Sequence, residues 1–183
     1  MNANSSHRRR IVRFSAAMSV ICAVLMPVGP FVLFFLALLA PIDTLAAMAG
    51  VAPLQPGSVD AADGARLLFG IFALASALPL SFGLIRLAAC FGGFARGALF
   101  APSTIAGLRD FAGAMLVWTL AQPLFRAAYS MILTFGGPEG SRQIVVQIGS
   151  DFILMSVFAL CVLIVSWVLT EASALSEENA QFV

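Results

Sequence analysis

Charged residues within or beside apolar stretches are the side chains of this chain that could do chemistry. They are Arg86, Asp110, Arg126, Asp151 and Glu171. An ionisable group at membrane depth is costly, and it usually faces protein or water, where it forms an ion pair or serves an ion pathway. We expect Arg86 to pair with Asp110 or Glu171, and Arg126 to pair with Asp151. Such pairs are usually structural clips between helices, and a transport or proton-relay role is the alternative.

The other reactive residue types do not form a pattern typical of an enzyme or a metal site. The cysteines, Cys22, Cys90 and Cys161, each stand alone in an apolar run, and the one histidine, His7, lies near the start. The sequence has no phosphate-binding loop, nucleophile elbow or zinc-protease helix motif. It therefore predicts a non-enzymatic protein with no catalytic residue, metal site or cofactor.

The composition explains why these charges lie in apolar surroundings. Of the 183 residues, 61% are hydrophobic and 10% are charged, whereas about 25% of the residues of a soluble domain are charged. A net charge of +1 excludes a globally basic protein that binds nucleic acid directly. The composition is that of an integral membrane protein, whose main partner is the lipid bilayer.

Four stretches are long enough to cross a membrane, since a transmembrane helix needs about 20 mainly apolar residues. They cover approximately residues 14–40, 67–91, 111–135 and 152–169. The runs are continuous, whereas barrel strands alternate between apolar and polar residues. We predict an all-α polytopic membrane protein, a single-domain bundle of four transmembrane helices. The outer connections, 41–64 and 136–150, are expected to be irregular.

The arginines predict the orientation, because the cytoplasmic flanks of transmembrane helices carry an excess of basic residues. Four arginines precede the first stretch and three surround the connection between the second and third stretches: Arg8, Arg9, Arg10, Arg13, Arg86, Arg96 and Arg109. Both termini and this inner connection are therefore expected in the cytoplasm.

The inner connection has the sequence of a helical hairpin with its tip at residues 97–102. Gly97 is a plausible helix end, since glycine tolerates left-handed backbone angles, and Pro102 is suited to the first turn of the next helix. Leu99 and Phe100 are apolar residues at this tip. They either return to the membrane interface or the bundle, or they form a docking site for a cytoplasmic partner.

The carboxyl-terminal tail, residues 171–183, is acidic. A helix that continues from the last stretch would include Glu177 and Glu178 and end near Asn179. This end is either a solvated charged helix or, together with the hairpin tip, one face that binds a basic partner, since opposite charge speeds encounter and fixes orientation.

Two segments together resemble a known family. Gly97-Ala98-Leu99-Phe100-Ala101-Pro102, followed by Ile105, Leu108 and Arg109, resembles the "G-x-x-F-x-P … LR" segment of small bacterial four-helix membrane proteins that form a domain of unknown function. The residues from Leu175 to Val183 resemble that family's "L-x-E-E-N-x-x-x-V" ending. The resemblance implies a bacterial cytoplasmic-membrane protein. Members are often encoded beside a small Cro-type helix-turn-helix regulator, and the family has no established catalytic residues.

We therefore expect a regulatory or sensor membrane protein that binds a cytoplasmic partner such as a small helix-turn-helix regulator. The alternatives are a small transporter or channel subunit, which would use the intramembrane charges, and a scaffold for a membrane assembly. Homo-oligomerisation stays open.

Overall fold

The computed structural model describes residues 3–50, 63–98, 101–135 and 144–181, with side chains over 12–50, 64–98, 101–135 and 144–175. These residues are almost entirely helical, which confirms the predicted all-α fold. The helices in chain order are α1 (Ala3–Leu39), α2 (Ile42–Ala49), α3 (Asp63–Ala95), α4 (Pro102–Thr134) and α5 (Ser150–Gln181). The described residues before α5, 144–149, form no regular element.

Three helices contain stretches that are long and apolar enough to cross a membrane. These stretches are Val12–Leu39 in α1, Gly64–Ala95 in α3 and Ser150–Leu175 in α5, and they correspond to the first, second and fourth predicted spans. Helix α4 is as long as α3, with 33 residues in each. It is not among the three, because Gln122, Pro123 and Arg126 lower its hydropathy.

The chain forms two compact units, and the long helices contribute residues to both. Unit 1 comprises Met1–Pro27, Pro79–Val117 and Met155–Val183, and unit 2 comprises Val28–Leu78 and Trp118–Leu154. The buried positions of unit 1 are mostly small side chains, including Ser15, Cys22, Ala112, Ala114, Ala159 and Ser166. Small residues are typical of helix contacts in membranes, because they let two backbones approach closely.

Two hydrogen bonds within unit 1 fix the register of α1 against α3. The Ser19 hydroxyl donates to the backbone carbonyl of Ala88 at 2.9 Å, and the Ser81 hydroxyl donates to that of Met26 at 3.4 Å. From the first bond to the second, the residue number rises by seven in α1 and falls by seven in α3. The two helices are antiparallel, and Ile21 of α1 lies level with Arg86 of α3.

The core of unit 2 is built around the short helix α2. Leu45 and Ala49 of α2 are fully buried. The same cluster contains Ala37 from the end of α1, Ala40 from the junction that follows it, Ala46 from α2, Phe69 from α3 and Leu133 from α4. The sequence led us to expect an irregular loop here, so α2 corrects that expectation. Its apolar residues recur at helical spacing, at Ile42, Leu45, Ala46 and Ala49, and this was the signal for it.

Unit 2 also contains a cap on the end of α1. The Arg66 guanidinium donates from Nη1 to the carbonyl oxygens of Leu38 at 3.1 Å and Ala40 at 3.0 Å. The last carbonyls of a helix lack partners within the helix, and a cation is favoured at that end by the helix dipole. Arg66 therefore stabilises the junction between α1 and α2.

Candidate functional site

Within unit 1, α3 and α4 form a closely packed hairpin. Three glycines allow the two backbones to approach. A Cβ atom on Gly83 would lie 3.0 Å from Cβ of Ala114, and one on Gly107 would lie 2.8 Å from the carbonyl oxygen of Arg86. Gly93 lies directly against the side chain of Thr104. These contacts follow one antiparallel register, so the hairpin is packed along its length within this unit.

The turn of the hairpin has the backbone that the sequence predicts for Gly97. This glycine has φ +83°, its N–H donates to the carbonyl of Phe94, and the N–H of Ala98 donates to that of Gly93, both at 3.0 Å. This pair of bonds is a Schellman motif, which satisfies the last carbonyls of α3. Pro102 occupies the first turn of α4, where a missing N–H costs nothing.

The tip itself contains two of the predicted docking residues. Leu99 and Phe100 lie outside the described residues. The described structure on either side ends at Ala98 and resumes at Ala101, so two residues connect the flanking helical segments.

The structure brings Arg86 and Asp110 together across this hairpin. Nε and Nη2 of Arg86 lie 2.8 Å and 2.5 Å from Oδ2 of Asp110. Nε of Arg109 lies 3.8 Å from Oδ1 of the same carboxylate. Two guanidinium groups therefore share one carboxylate. Glu171, the alternative partner of Arg86, is an exposed residue of α5.

Asp151 was the predicted partner of Arg126. The Arg126 guanidinium instead donates from Nη1 to Oε1 of Gln147 at 3.2 Å. Asp151 lies in the first turn of α5, where its Oδ1 is 3.5 Å from the Ser150 hydroxyl. A carboxylate is favoured at this position by the partial positive charge of the helix amino terminus.

The acidic tail belongs to α5, which continues through Glu177, Glu178 and Asn179 to Gln181. The helix thus extends two residues beyond the expected end at Asn179. The side chains of these residues lie outside the described part, whereas Glu171, six residues before Glu177, is exposed. The backbone therefore places the tail glutamates on a helix that is continuous with the apolar stretch of α5.

Unit 2 contains a polar cluster that we did not predict from the sequence. The Tyr129 hydroxyl donates to Oγ of Ser76 at 2.9 Å, and the Tyr129 ring stacks on Phe69 with centroids 4.5 Å apart. The Ser130 hydroxyl accepts the N–H of Val145 at 3.0 Å. These side chains are polar residues within an apolar run, which was the available signal. They join α3, α4 and the segment before α5.

The described residues offer no group of three or more His, Cys, Asp or Glu side chains that could hold a metal ion. The cysteines are free thiols, with Cys22 and Cys90 buried and Cys161 exposed.

The outward faces of α1 and α5 are apolar. Large hydrophobic side chains that are more than half exposed include Phe14, Val24, Phe31 and Phe35 on α1, and Ile153, Leu154, Val157, Phe158 and Trp167 on α5. Only 11% of the apolar window of each helix is buried. A surface this apolar is suited to contact with lipid rather than with water.

Comparison of the chain with protein-family models, with curated proteins and with solved structures gives no match. What the structure defines is the class: a helical protein with three helices that could span a membrane.

Proposed function

We propose that the chain is a non-enzymatic, four-span membrane protein of the bacterial cytoplasmic membrane, with both termini in the cytoplasm. It binds a cytoplasmic partner, such as a small helix-turn-helix regulator, through the hairpin tip and the acidic tail. The observation that carries this proposal is the α3–α4 hairpin. In it, α3 ends in a Schellman motif at Gly97 and α4 begins at Pro102, so the described residues on both sides of the proposed docking residues belong to two closely packed helices.

The packing of α4 supports a fourth span. Within unit 1, Thr104 contacts Gly93 of α3, and within unit 2, Tyr129 stacks on Phe69 of α3. Helix α4 therefore contacts α3 near both limits of the stretch from Phe69 to Gly93. An ideal helix of that length is about 36 Å long, which exceeds the roughly 30 Å of a hydrocarbon core. These contacts, one within each unit, support the proposal that α4 is a fourth span.

The course of α5 supports a docking role for the tail. From Leu175, the end of the apolar stretch, the helix continues for six residues to Gln181, which is about 9 Å. Glu177 and Glu178 lie on this extension. A basic partner would meet an acidic helical surface that is fixed to the membrane, and its binding would weaken as salt rises.

Single introduced cysteines test the four spans in intact cells. Ser58→Cys and Ser141→Cys lie in the two outer connections, and Ser103→Cys and Ser176→Cys lie on the cytoplasmic side. We expect a membrane-impermeant maleimide to label the first two in intact cells and the other two only after permeabilisation. If α4 does not cross, Ser141→Cys will behave like Ser103→Cys, and Ser176→Cys will be labelled from outside.

Affinity purification from solubilised membranes tests the docking face. We expect the wild-type chain to retain a basic cytoplasmic protein, with recovery that falls as salt is raised. Phe100→Ala and the double variant Glu177→Ala/Glu178→Ala should each reduce recovery. Matched controls are Phe14→Ala, at an exposed position of α1, and Asp43→Ala, at an exposed position of α2.

The controls separate docking from a general loss of protein. Equal recovery of the partner by the wild type, Phe100→Ala and the double glutamate variant would refute the docking face. Equal losses in Phe14→Ala and Phe100→Ala would show that any apolar truncation lowers recovery, and this too would contradict the proposal.

A further inference from the structure

The charges that meet between α3 and α4 do not balance. Arg86 and Arg109 share the carboxylate of Asp110, so two cations face one anion. The Arg109 side chain is 52% exposed, compared with 39% for Arg86 and 27% for Asp110. Arg86 makes the close contact with the carboxylate, and the guanidinium of Arg109 lies farther away. Arg109 is therefore the cation of this group that remains accessible to a further anion.

The register of unit 1 gives the depth of this group. Gly93 lies against Thr104 and Gly107 against Cys90, so the Arg109 backbone lies level with Ala88 of α3. Ala88 accepts the hydrogen bond from Ser19 of α1. Ser19 lies six residues beyond Arg13, the last arginine of α1, and this separation is about 9 Å.

The chain direction of α4 then determines toward which end of the helix the Arg109 side chain extends. Side chains on a helix lean toward its amino terminus, which for α4 is Pro102 at the hairpin tip. In the proposed topology, the long apolar stem of Arg109 would lie along the hydrocarbon, and its guanidinium would reach toward the membrane boundary near Arg13. At that boundary, the chemical group that carries negative charge is the lipid phosphate.

We propose that Arg109, with Arg86 and Asp110 beside it, binds the phosphate of an anionic phospholipid in the cytoplasmic leaflet. A guanidinium donates two parallel hydrogen bonds to phosphate oxygens. Asp110 is engaged by Arg86, which neutralises most of its repulsion toward the phosphate. This site rests on the membrane topology proposed above, and it is independent of a cytoplasmic protein partner.

Native mass spectrometry of the purified full-length chain tests the site. The protein is exchanged into detergent with phosphatidylglycerol or with phosphatidylcholine, and the bound lipid is counted. We expect the wild type to prefer phosphatidylglycerol and Arg109→Gln to lower this preference about five-fold, which corresponds to the ~1 kcal/mol typical of one basic residue near an anionic lipid surface. Arg109→Lys keeps the charge but loses the two parallel hydrogen bonds of the guanidinium, so it should retain only part of the preference.

Arg13→Gln is the matched control, because it also removes one arginine at the membrane boundary. Equal losses in Arg13→Gln and Arg109→Gln would assign the preference to general surface charge and overturn the site. Release of phosphatidylglycerol by millimolar inorganic phosphate would assign the site to a free anion and would also overturn it. Far-UV circular dichroism identifies a variant that fails to fold. If Arg109→Gln fails to fold, Arg109→Lys supplies the comparison, and full retention of the lipid preference by Arg109→Lys would then overturn the bidentate site. The lipid count uses purified protein and does not depend on which side of the membrane each segment faces. A wrong topology would therefore be detected by the cysteine labelling and not by the lipid count.

Discussion

The close packing at Gly107 gives the sharpest test of how α3 and α4 associate. In the substitution Gly107→Ala, the new Cβ would lie 2.8 Å from the carbonyl oxygen of Arg86 and 3.2 Å from Cβ of Cys90. Neither atom is the end of a flexible side chain. The two helices must therefore move apart, which weakens the neighbouring contacts in the hairpin.

The expected magnitude is the difference between two opposing effects. Alanine is more favourable than glycine within a helix by about 1 kcal/mol. Extra volume in a well-packed contact costs about 1–3 kcal/mol. Gly113 lies on the same helix, and a Cβ there would have no neighbouring atom within 4 Å. Gly113→Ala therefore has the first effect without the second, and it should raise the free energy of unfolding.

Both variants are unfolded with dodecyl sulfate in mixed micelles, and the loss of helix is followed by far-UV circular dichroism. We expect Gly107→Ala to be less stable than Gly113→Ala by about 1–3 kcal/mol, because the helix-propensity gain cancels between them. If Gly107→Ala is as stable as Gly113→Ala, the helices do not touch at this point, and the register that places Arg109 level with Ala88 loses its support.

Other substitutions test the polar contacts, and the same unfolding assay measures each of them. The buried Oγ of Ser156 has no hydrogen-bond partner among the described residues, so Ser156→Ala should raise the free energy of unfolding by about 1 kcal/mol; a loss would reveal a partner for this hydroxyl. Ser130→Ala should lower it by about 1 kcal/mol, because the N–H of Val145 loses its acceptor, and an unchanged stability would contradict that contact. Arg66→Gln should cost about 1–2 kcal/mol, because two carbonyls at the end of α1 lose their donor. Equal stability of Arg66→Gln and the wild type would mean that water satisfies those carbonyls.

The main features of the fold could be predicted from local sequence. Long apolar stretches require helices in a bilayer, since every backbone polar group must find a partner within the chain. The hairpin turn was predictable for the same local reason. Gly97 and Pro102 have backbone preferences that act over one or two residues and do not depend on distant contacts.

The short helix α2 and the partner of Arg126 could not be predicted in this way. Charge alone favoured Asp151 for Arg126, but Gln147 is the residue that lies within reach. Helix α2 is stabilised by burial of Leu45 and Ala49 in a cluster that includes residues of three other helices. Its eight residues are too few to form a stable helix alone.

The sequence by itself thus determined that the chain is helical and apolar and that it turns at Gly97 and Pro102, because composition and backbone preference are local properties. The tertiary structure decided which side chains meet. In the tertiary structure, Arg66 donates to a carbonyl at the end of α1, and Ser130 accepts a hydrogen bond from the segment before α5. Arg86 and Arg109 both contact the carboxylate of Asp110. Those contacts depend on the register and facing sides of packed helices, which are set by the small residues between them.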